Sequence, residues 1–247
     1  MNINARDAHG STPLLCSADK GDLQAAKWLV QNGADVNARN NDGWTALHYA
    51  ADSGHLDMVK WLVEERNVDV NARGNNGSIA LHYAADFGHL DMAKWLVEER
   101  NVDVNARDNS GWTALHYAAR SGYLDMARWL VEERNVDVNA RDNDGWTALH
   151  HAAGCGRLDM AKWLVEERNV DVNARDNSGS IALHYAARSG RLDMVKWLVE
   201  ERNVDIYLTN IKGMTASDYG NEEVSRYLGH LDQSIESRAK SAAKAES

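Results

Sequence analysis

Histidine is the residue type here that most readily suggests chemistry, because imidazole can bind metals and transfer protons near neutral pH. Ten histidines are present, and five of them recur in one four-residue context: His48, His82, His116, His150 and His184. His151 and Cys155 are four positions apart and would share one face of a helix, as two zinc ligands can. No third or fourth ligand has suitable spacing, so we predict neither a metal nor a cofactor.

The motifs of the common enzyme classes are missing from the sequence. It contains no Gly-Lys pair for a phosphate-binding loop, no HExxH and no nucleophile elbow. The turn Asp142-Asn143-Asp144-Gly145 resembles the start of a calcium loop, but His151 stands where the closing Glu should be. Because Asp and Glu recur in every unit, we interpret them as solvated faces. The chain is therefore predicted to have no catalytic residues and not to be an enzyme.

Charge and composition narrow the kinds of partner and the compartment. The net charge is −10, from 27 Lys and Arg against 37 Asp and Glu, so repulsion disfavours nucleic acid and anionic membranes. Cys16 and Cys155 lie far apart and form no disulfide framework. The chain begins with a polar segment and contains no run of 18 apolar residues. These features predict an intracellular, cytoplasmic protein, with delivery into a host cell left open.

The recurring histidines belong to an internal repeat, which must position whatever surface the protein uses. The motif Thr45-Ala46-Leu47-His48 returns with its leucine at steps of 34 residues, as Leu47, Leu81, Leu115, Leu149 and Leu183. Thr12-Pro13-Leu14-Leu15 lies 33 residues upstream, and Thr215-Ala216 continues the series. The chain therefore contains six full units and a shortened seventh, a period typical of solenoids.

Each unit carries two helical stretches. In the first, Leu47, Ala50 and Ala51 have helical spacing and form a narrow apolar face of small residues. The second begins near Leu56, after Gly54, which tolerates the left-handed backbone expected where the first helix ends. No unit could bury these faces alone, so stacking of neighbouring units must supply the core.

The first unit, with Thr12-Pro13-Leu14 and Gly33-Ala34-Asp35-Val36-Asn37, resembles the ankyrin repeat, and the resemblance covers roughly residues 5–231. It implies an all-α solenoid of stacked helix-turn-helix units with turn fingers, in which the motif histidine braces adjacent loops. Later units depart from the pattern because Ala replaces Pro13 and a longer segment replaces the one ending at Gly33. Asn67 is the predicted substitute for that glycine, since Asn tolerates the left-handed region.

The predicted organisation is a single ankyrin domain over residues 1–232, followed by a tail. Its repeats span about 7–39, 40–73, 74–107, 108–141, 142–175 and 176–209, with a polar capping repeat at 210–232. The tail, residues 233–247, is rich in Ser, Ala, Lys and Glu. It is expected either to extend the last helix or to be disordered.

Tryptophan recurs in two series with different predicted roles. One lies on the second helix of every full unit and is interpreted as a packing ladder: Trp28, Trp61, Trp95, Trp129, Trp163 and Trp197. The other follows the turn glycine, as Trp44, Trp112 and Trp146, and is replaced in two repeats by Ser78 and Ser180. Because this second aromatic is dispensable to the repeat, we interpret it as binding surface.

Positions that differ between near-identical units are expected not to be needed for stacking. Tyr49, Asp52 and Ser53 share one face of a helix, which in ankyrin proteins lines the usual binding side together with the turn tips. Along the chain this face changes from acidic residues to arginines. The candidate partner-binding residues, which we call the variable face, are Trp44, Tyr49, Asp52, Ser53, His55, Tyr83, Asp86, Phe87, His89, Trp112, Tyr117, Arg120, Tyr123, Trp146, His151, Arg157, Tyr185, Arg188 and Arg191.

Three functions are compatible with these patterns. The first is a monomeric adaptor or inhibitor that binds a protein partner, with the arginine-bearing half contacting carboxylates. A second is a designed or consensus-like scaffold with no specific partner, which the near-identity of the units permits. A third is a substrate of asparaginyl hydroxylation, because the run ending at Asn71-Ala72 and its equivalents resembles such sites in ankyrin proteins.

Overall fold

A computed structural model describes the backbone of residues 2–245 and the side chains of residues 2–233. The chain comprises two compact units, Met1–Asp137 (unit 1) and Val138–Ser247 (unit 2). Every regular element in the described residues is helical, so the predicted all-α fold is confirmed. The alternatives for the tail also concern residues 246 and 247, which lie outside the described residues.

Helices occur in pairs, a short first helix followed by a second one. Unit 1 holds α1 (Pro13–Asp19) and α2 (Leu23–Gln31), α3 (Ala46–Asp52) and α4 (Leu56–Lys60), α5 (Ala80–Asp86) and α6 (Leu90–Lys94), and α7 (Ala114–Ser121) and α8 (Leu124–Arg128). Unit 2 holds α9 (Ala148–Cys155) and α10 (Leu158–Lys162), α11 (Ala182–Arg188) and α12 (Leu192–Lys196), and α13 (Ala216–Tyr219) and α14 (Glu222–Ala245).

The core runs along the first helices. In unit 1, α3 contacts α1 on one side and α5 on the other, and in unit 2 α11 lies between α9 and α13. Leu47, Ala50 and Ala51 are completely buried at these contacts. Since alanine side chains end at Cβ, the helices approach closely enough to exclude water from both sides. Stacking therefore provides the apolar burial that a single repeat lacks.

The turn fingers form a second ladder between repeats. The backbone N–H of Asn75 donates to the carbonyl of Asp42 in the preceding turn at 2.9 Å. Arg39 extends this ladder, because its Nη1 donates to the carbonyls of Gly43 at 3.1 Å and of Arg73 at 2.8 Å. Sequence analysis did not single out this arginine, although its recurrence in every Asn-Ala-Arg segment was a usable signal.

A π-helical turn accommodates the extra residue of the 34-residue repeats. Five second helices, α4, α6, α8, α10 and α12, each continue into one: Trp61–Glu65, Trp95–Glu99, Trp129–Glu133, Trp163–Glu167 and Trp197–Glu201. Because a π turn closes over one more residue than an α turn, the helix absorbs the insertion and the repeat geometry is preserved. Asn67 then ends this helix with φ 53°, which confirms its predicted role in place of glycine.

The tryptophans of the second helices are buried, with one exception. Those at the π turns expose at most 7% of their surface, as predicted for a packing ladder. In unit 1 the guanidinium of Arg100 lies 4.8 Å from the Trp95 ring centre and pairs with Glu64 of the preceding repeat. Trp28 is 59% exposed, so its assignment to the ladder was wrong. Helix α2 has neither the π turn nor an arginine equivalent to Arg100 that could cover it.

Substitution of a turn glycine tests the finger ladder. Gly43 has φ 76°, and an added Cβ would lie 2.4 Å from Asn75 Oδ1 and 2.9 Å from Asn75 N. We expect Gly43→Ala to lower the free energy of unfolding by about 1 kcal/mol for the left-handed backbone and by about 1–3 kcal/mol more for the clash. Urea denaturation followed by circular dichroism measures the loss.

Gly213→Ala is the matched control. Gly213 has the same turn position and φ 73°, but nothing lies within 4 Å of its added Cβ. It should show only the backbone cost of about 1 kcal/mol. Equal losses in the two variants would contradict a stabilising contact between fingers.

Candidate functional site

The variable face is only partly exposed. Most of its unit 1 members are half-buried: Trp44, Tyr49, Asp52, Ser53, His55, Asp86, His89, Trp112, Tyr117 and Arg120. Phe87 and Tyr123 are exposed and Tyr83 is buried. In unit 2, Trp146 and Tyr185 are half-buried, His151 is buried, and the exposed members are Arg157, Arg188 and Arg191. On α3, Tyr49, Asp52 and Ser53 lie away from the buried Leu47, as the helical spacing predicts.

Two of the tryptophans that follow the turn glycines, Trp44 and Trp146, join adjacent repeats. Trp44 packs edge-on against Tyr49 of its own repeat, with ring centres 5.2 Å apart, and against Tyr83 of the next repeat at 4.5 Å. In unit 2 the rings of Trp146 and Tyr185 are 4.0 Å apart. Such contacts between aromatic rings stabilise a fold by about 1 kcal/mol beyond simple burial. These tryptophans therefore contribute to stacking.

Serine at the same position joins the repeats by a different contact. The Ser78 hydroxyl lies 3.1 Å from the Tyr117 hydroxyl, and Ser11 makes the same 3.1 Å contact with Tyr49. The Tyr117 hydroxyl in turn donates to Asp108 at 2.7 Å. Four tyrosines of the first helices thus meet either a tryptophan ring or a serine hydroxyl of the preceding repeat: Tyr49, Tyr83, Tyr117 and Tyr185.

This arrangement corrects the assumption that variable positions are not needed for stacking. Tyr83 is only 7% exposed and His151 only 3%, so both were wrongly assigned to a partner-binding surface. Tyr83 is buried because Trp44 packs over it, and His151 because its Nε2 pairs with the Asp142 carboxylate at 3.1 Å. Sequence comparison between units identifies variable positions but not the reach of their side chains.

Side chains that lie one residue before a second helix form a further series. They cover the end of the first helix in the preceding repeat. His55 Nε2 donates to the carbonyl of Asp19 at 3.0 Å, and His89 Nε2 to that of Asp52 at 2.9 Å. The ring of Tyr123 lies so close to Gly88 that an added Cβ would be 2.3 Å away. Tyr123 is still 41% exposed, so its outer edge remains accessible.

The arginine of the variable face in unit 1 is compensated within the unit. Arg120 donates to Asp86 at 2.5 Å, and its guanidinium lies 5.2 Å from the Trp112 ring centre. Ser121 also donates to Asp86, at 2.7 Å. Burial and the neighbouring Asp19 and Asp86 carboxylates raise the pKa of Asp52. The arginine predicted to contact a partner's carboxylate thus already has one from its own unit.

Unit 2 has cations without such compensation. Arg188 occupies the position of Arg120, but Gly154 of the preceding repeat stands where unit 1 has Asp86. Arg188 and Arg191 are exposed, and among the described residues neither side chain forms a hydrogen bond or ion pair. Both guanidiniums can therefore bind a carboxylate from outside without breaking an internal contact.

Comparison with known families accounts for the repeated architecture. The family model described as "Ankyrin repeats (3 copies)" matches residues 1–74, 66–142 and 134–210. The chain belongs to the ankyrin-repeat family. Ankyrin repeats are generally protein–protein interaction modules, and the family is typically non-enzymatic. A search of curated proteins finds no match.

The motif histidines of these ankyrin repeats are structural. The Thr45 N–H donates to His48 Nδ1 at 3.1 Å, so the ring proton lies on Nε2, which donates to the Ser78 carbonyl at 3.3 Å. His82 reaches the Ala106 carbonyl in the same way, at 2.9 Å. The expected bracing of adjacent loops is confirmed. Burial lowers the pKa of His48 to about 4, which keeps the ring neutral near pH 7.

The described residues also bear on metal binding, membrane insertion and asparagine hydroxylation. They contain no group of three His, Cys, Asp or Glu side chains placed to hold a metal ion. Among them, no helix is long and apolar enough to cross a membrane. The asparagines considered for hydroxylation, such as Asn71 and Asn105, are exposed, and their backbone N–H groups donate to Asp69 and Asp103.

The buried histidines predict acid sensitivity. Below the unfolded pKa of about 6.5, the unfolded chain binds a proton that buried His48 does not bind until the pH nears 4. The stabilisation is therefore complete above pH 6.5 and is lost as the pH falls. One such histidine should reduce the free energy of unfolding by about 2 kcal/mol between pH 7 and 4.5. Urea denaturation across this range measures the effect.

His48→Gln should be less sensitive to acid than the wild type by about that amount, each compared with its own stability at pH 7. Ser53→Ala, which removes no titrating group, is the control and should retain the full pH dependence. An unchanged pH dependence in His48→Gln would contradict the assignment of a neutral buried imidazole.

Proposed function

We propose that this ankyrin-repeat protein is a non-enzymatic adaptor or inhibitor that binds a protein partner through its variable face. The observation that carries the proposal is the set of large or charged side chains that stacking leaves exposed: Phe87, Tyr123, Arg157, Arg188 and Arg191. Aromatic residues and arginine are enriched where protein interfaces gain most of their binding energy. The other members of the face, Tyr83 and His151 excepted, are half-buried.

Two features support a partner that presents carboxylates to unit 2. The exposed arginines there have a rigid, planar group that can bind a carboxylate through two hydrogen bonds. The chain as a whole is acidic, with a net charge of −10, so a strongly anionic partner would be repelled at long range. A folded protein with a few well-placed carboxylates fits both conditions better than nucleic acid or an anionic membrane.

The experiment that tests the proposal begins with affinity purification from the cell of origin and identification of the captured protein. Binding of that protein is then measured to the triple variant Arg120→Glu, Arg188→Glu and Arg191→Glu. We expect affinity to fall by at least about tenfold, because like charges across an interface are strongly unfavourable. Calorimetry on purified proteins gives the affinities.

The matched control is the triple variant Lys60→Glu, Lys94→Glu and Lys162→Glu, on the second helices. It changes the net charge equally and should bind normally. Unchanged affinity in the arginine variant would contradict the proposal. If the wild type captures no more protein than a variant whose variable face is scrambled, the result would favour a scaffold without a specific partner.

A further inference from the structure

Unit 2 contains a groove that no side chain of the described residues fills. Its volume is about 450 Å³, and it is lined by three successive turn fingers, by α11 and by α13. That volume is within the range of sites that hold a small group of side chains. Trp146, Tyr185 and Ile211 supply apolar surface, while Arg188 and Lys212 supply positive charge.

Ile211 makes the last turn finger different from the others. Asn177 holds the equivalent position in the preceding repeat, where its Nδ2 donates to the Asn143 carbonyl at 3.0 Å. Isoleucine keeps only the backbone hydrogen bond, from its N–H to the Ser178 carbonyl at 3.0 Å. Its side chain is 76% exposed and adds apolar surface to the groove.

The groove is lined by two cations, Arg188 and Lys212, and by two carboxylates, Asp144 and Asp176. Among the described residues, neither Arg188 nor Lys212 forms an ion pair or a side-chain hydrogen bond. The Asp176 carboxylate already accepts hydrogen bonds from Tyr185, Ser178 and Ser180. Asp176 is also only 8% exposed, so the charged groups open to a ligand are the two cations and Asp144.

We propose that this groove binds an extended segment of a partner protein that carries a carboxylate beside a large apolar side chain. Arg188 and Lys212 bind the carboxylate, and Ile211 with the Trp146 and Tyr185 rings covers the apolar group. The inference rests on the proposed function and names the partner's chemistry in unit 2. Because the net charge of −10 opposes polyanions, the groove selects one carboxylate and not an acidic tract.

A random peptide library displayed on phage and selected on the full chain tests this proposal. The enriched peptides should share Asp or Glu next to Leu, Ile, Phe, Tyr or Trp. The most enriched peptide, synthesised with a fluorophore, is then titrated by fluorescence anisotropy. Arg188→Glu should weaken its binding by at least about tenfold, and so should replacing the peptide's acidic residue with its amide.

Lys162→Glu is the control, because Lys162 lies on a second helix of the same unit and neither lines the groove nor belongs to the variable face. It should change the affinity less than about threefold, as expected for a charge outside the contact. Enrichment of basic peptides, or no enrichment, would overturn the proposal. So would dimerisation of the chain that Arg188→Glu abolishes, since a second copy would then occupy the groove.

These results separate the inference from the proposed function. Peptides that bind the Arg188→Glu variant normally but do not bind the Arg120→Glu variant would contradict the groove proposal. The variable face would then remain the proposed partner-binding surface. Loss of the captured partner in the triple arginine variant, together with no peptide binding at the groove, would do the same. Failure of both binding assays would remove the two proposals together.

Discussion

Each repeat depends on its neighbours to cover the apolar side of its first helix. Leu47, Ala50 and Ala51 are fully buried only because α1 and α5 lie against α3 on either side. This close approach restricts the side chains to small ones and brings the turn fingers within hydrogen-bonding distance. Gly43 and Arg39 fit the same spacing. Gly43 leaves room for the next turn finger, and Arg39 donates a hydrogen bond to the Arg73 carbonyl of the next repeat.

The same spacing determines which side chains are available for binding. A tyrosine on one first helix is long enough to reach the preceding repeat, where it meets either Trp44 or a serine such as Ser78. Two different chemistries therefore satisfy one structural contact, and variation at these positions need not reflect a partner. Charged residues differ, because Arg120 has a carboxylate from its own unit whereas Arg188 has none among the described residues.

Much of the fold could be predicted from periodicity alone. The spacing of the motif leucines identified the repeats and their helices, and the bracing by His48 and the left-handed Asn67 followed from the family resemblance and residue type. Burial of Tyr83 could not be predicted, because spacing within a repeat does not show how far a side chain reaches into the next one.

The π turn at Trp61–Glu65 was also missed, since a one-residue insertion can be absorbed by a loop or by a helix. The arginines of the variable face were identified by sequence comparison between units. What distinguishes them became clear only from the contacts. Whether an arginine is compensated depends on the residue at one position in the preceding repeat, Asp86 for Arg120 and Gly154 for Arg188.

An aspartate at position 154 would give Arg188 the partner that Arg120 has in unit 1. An added Cβ at Gly154 would meet only Tyr185 Cβ, at an ordinary 3.7 Å, so Gly154→Asp should fold normally and compensate Arg188 as Asp86 compensates Arg120. Affinity for the acidic peptide selected on the wild type should fall by about tenfold. Gly154→Asn, which adds no charge, should bind as the wild type does. Equal affinity in all three proteins would contradict the claim that an uncompensated Arg188 makes this surface a binding site.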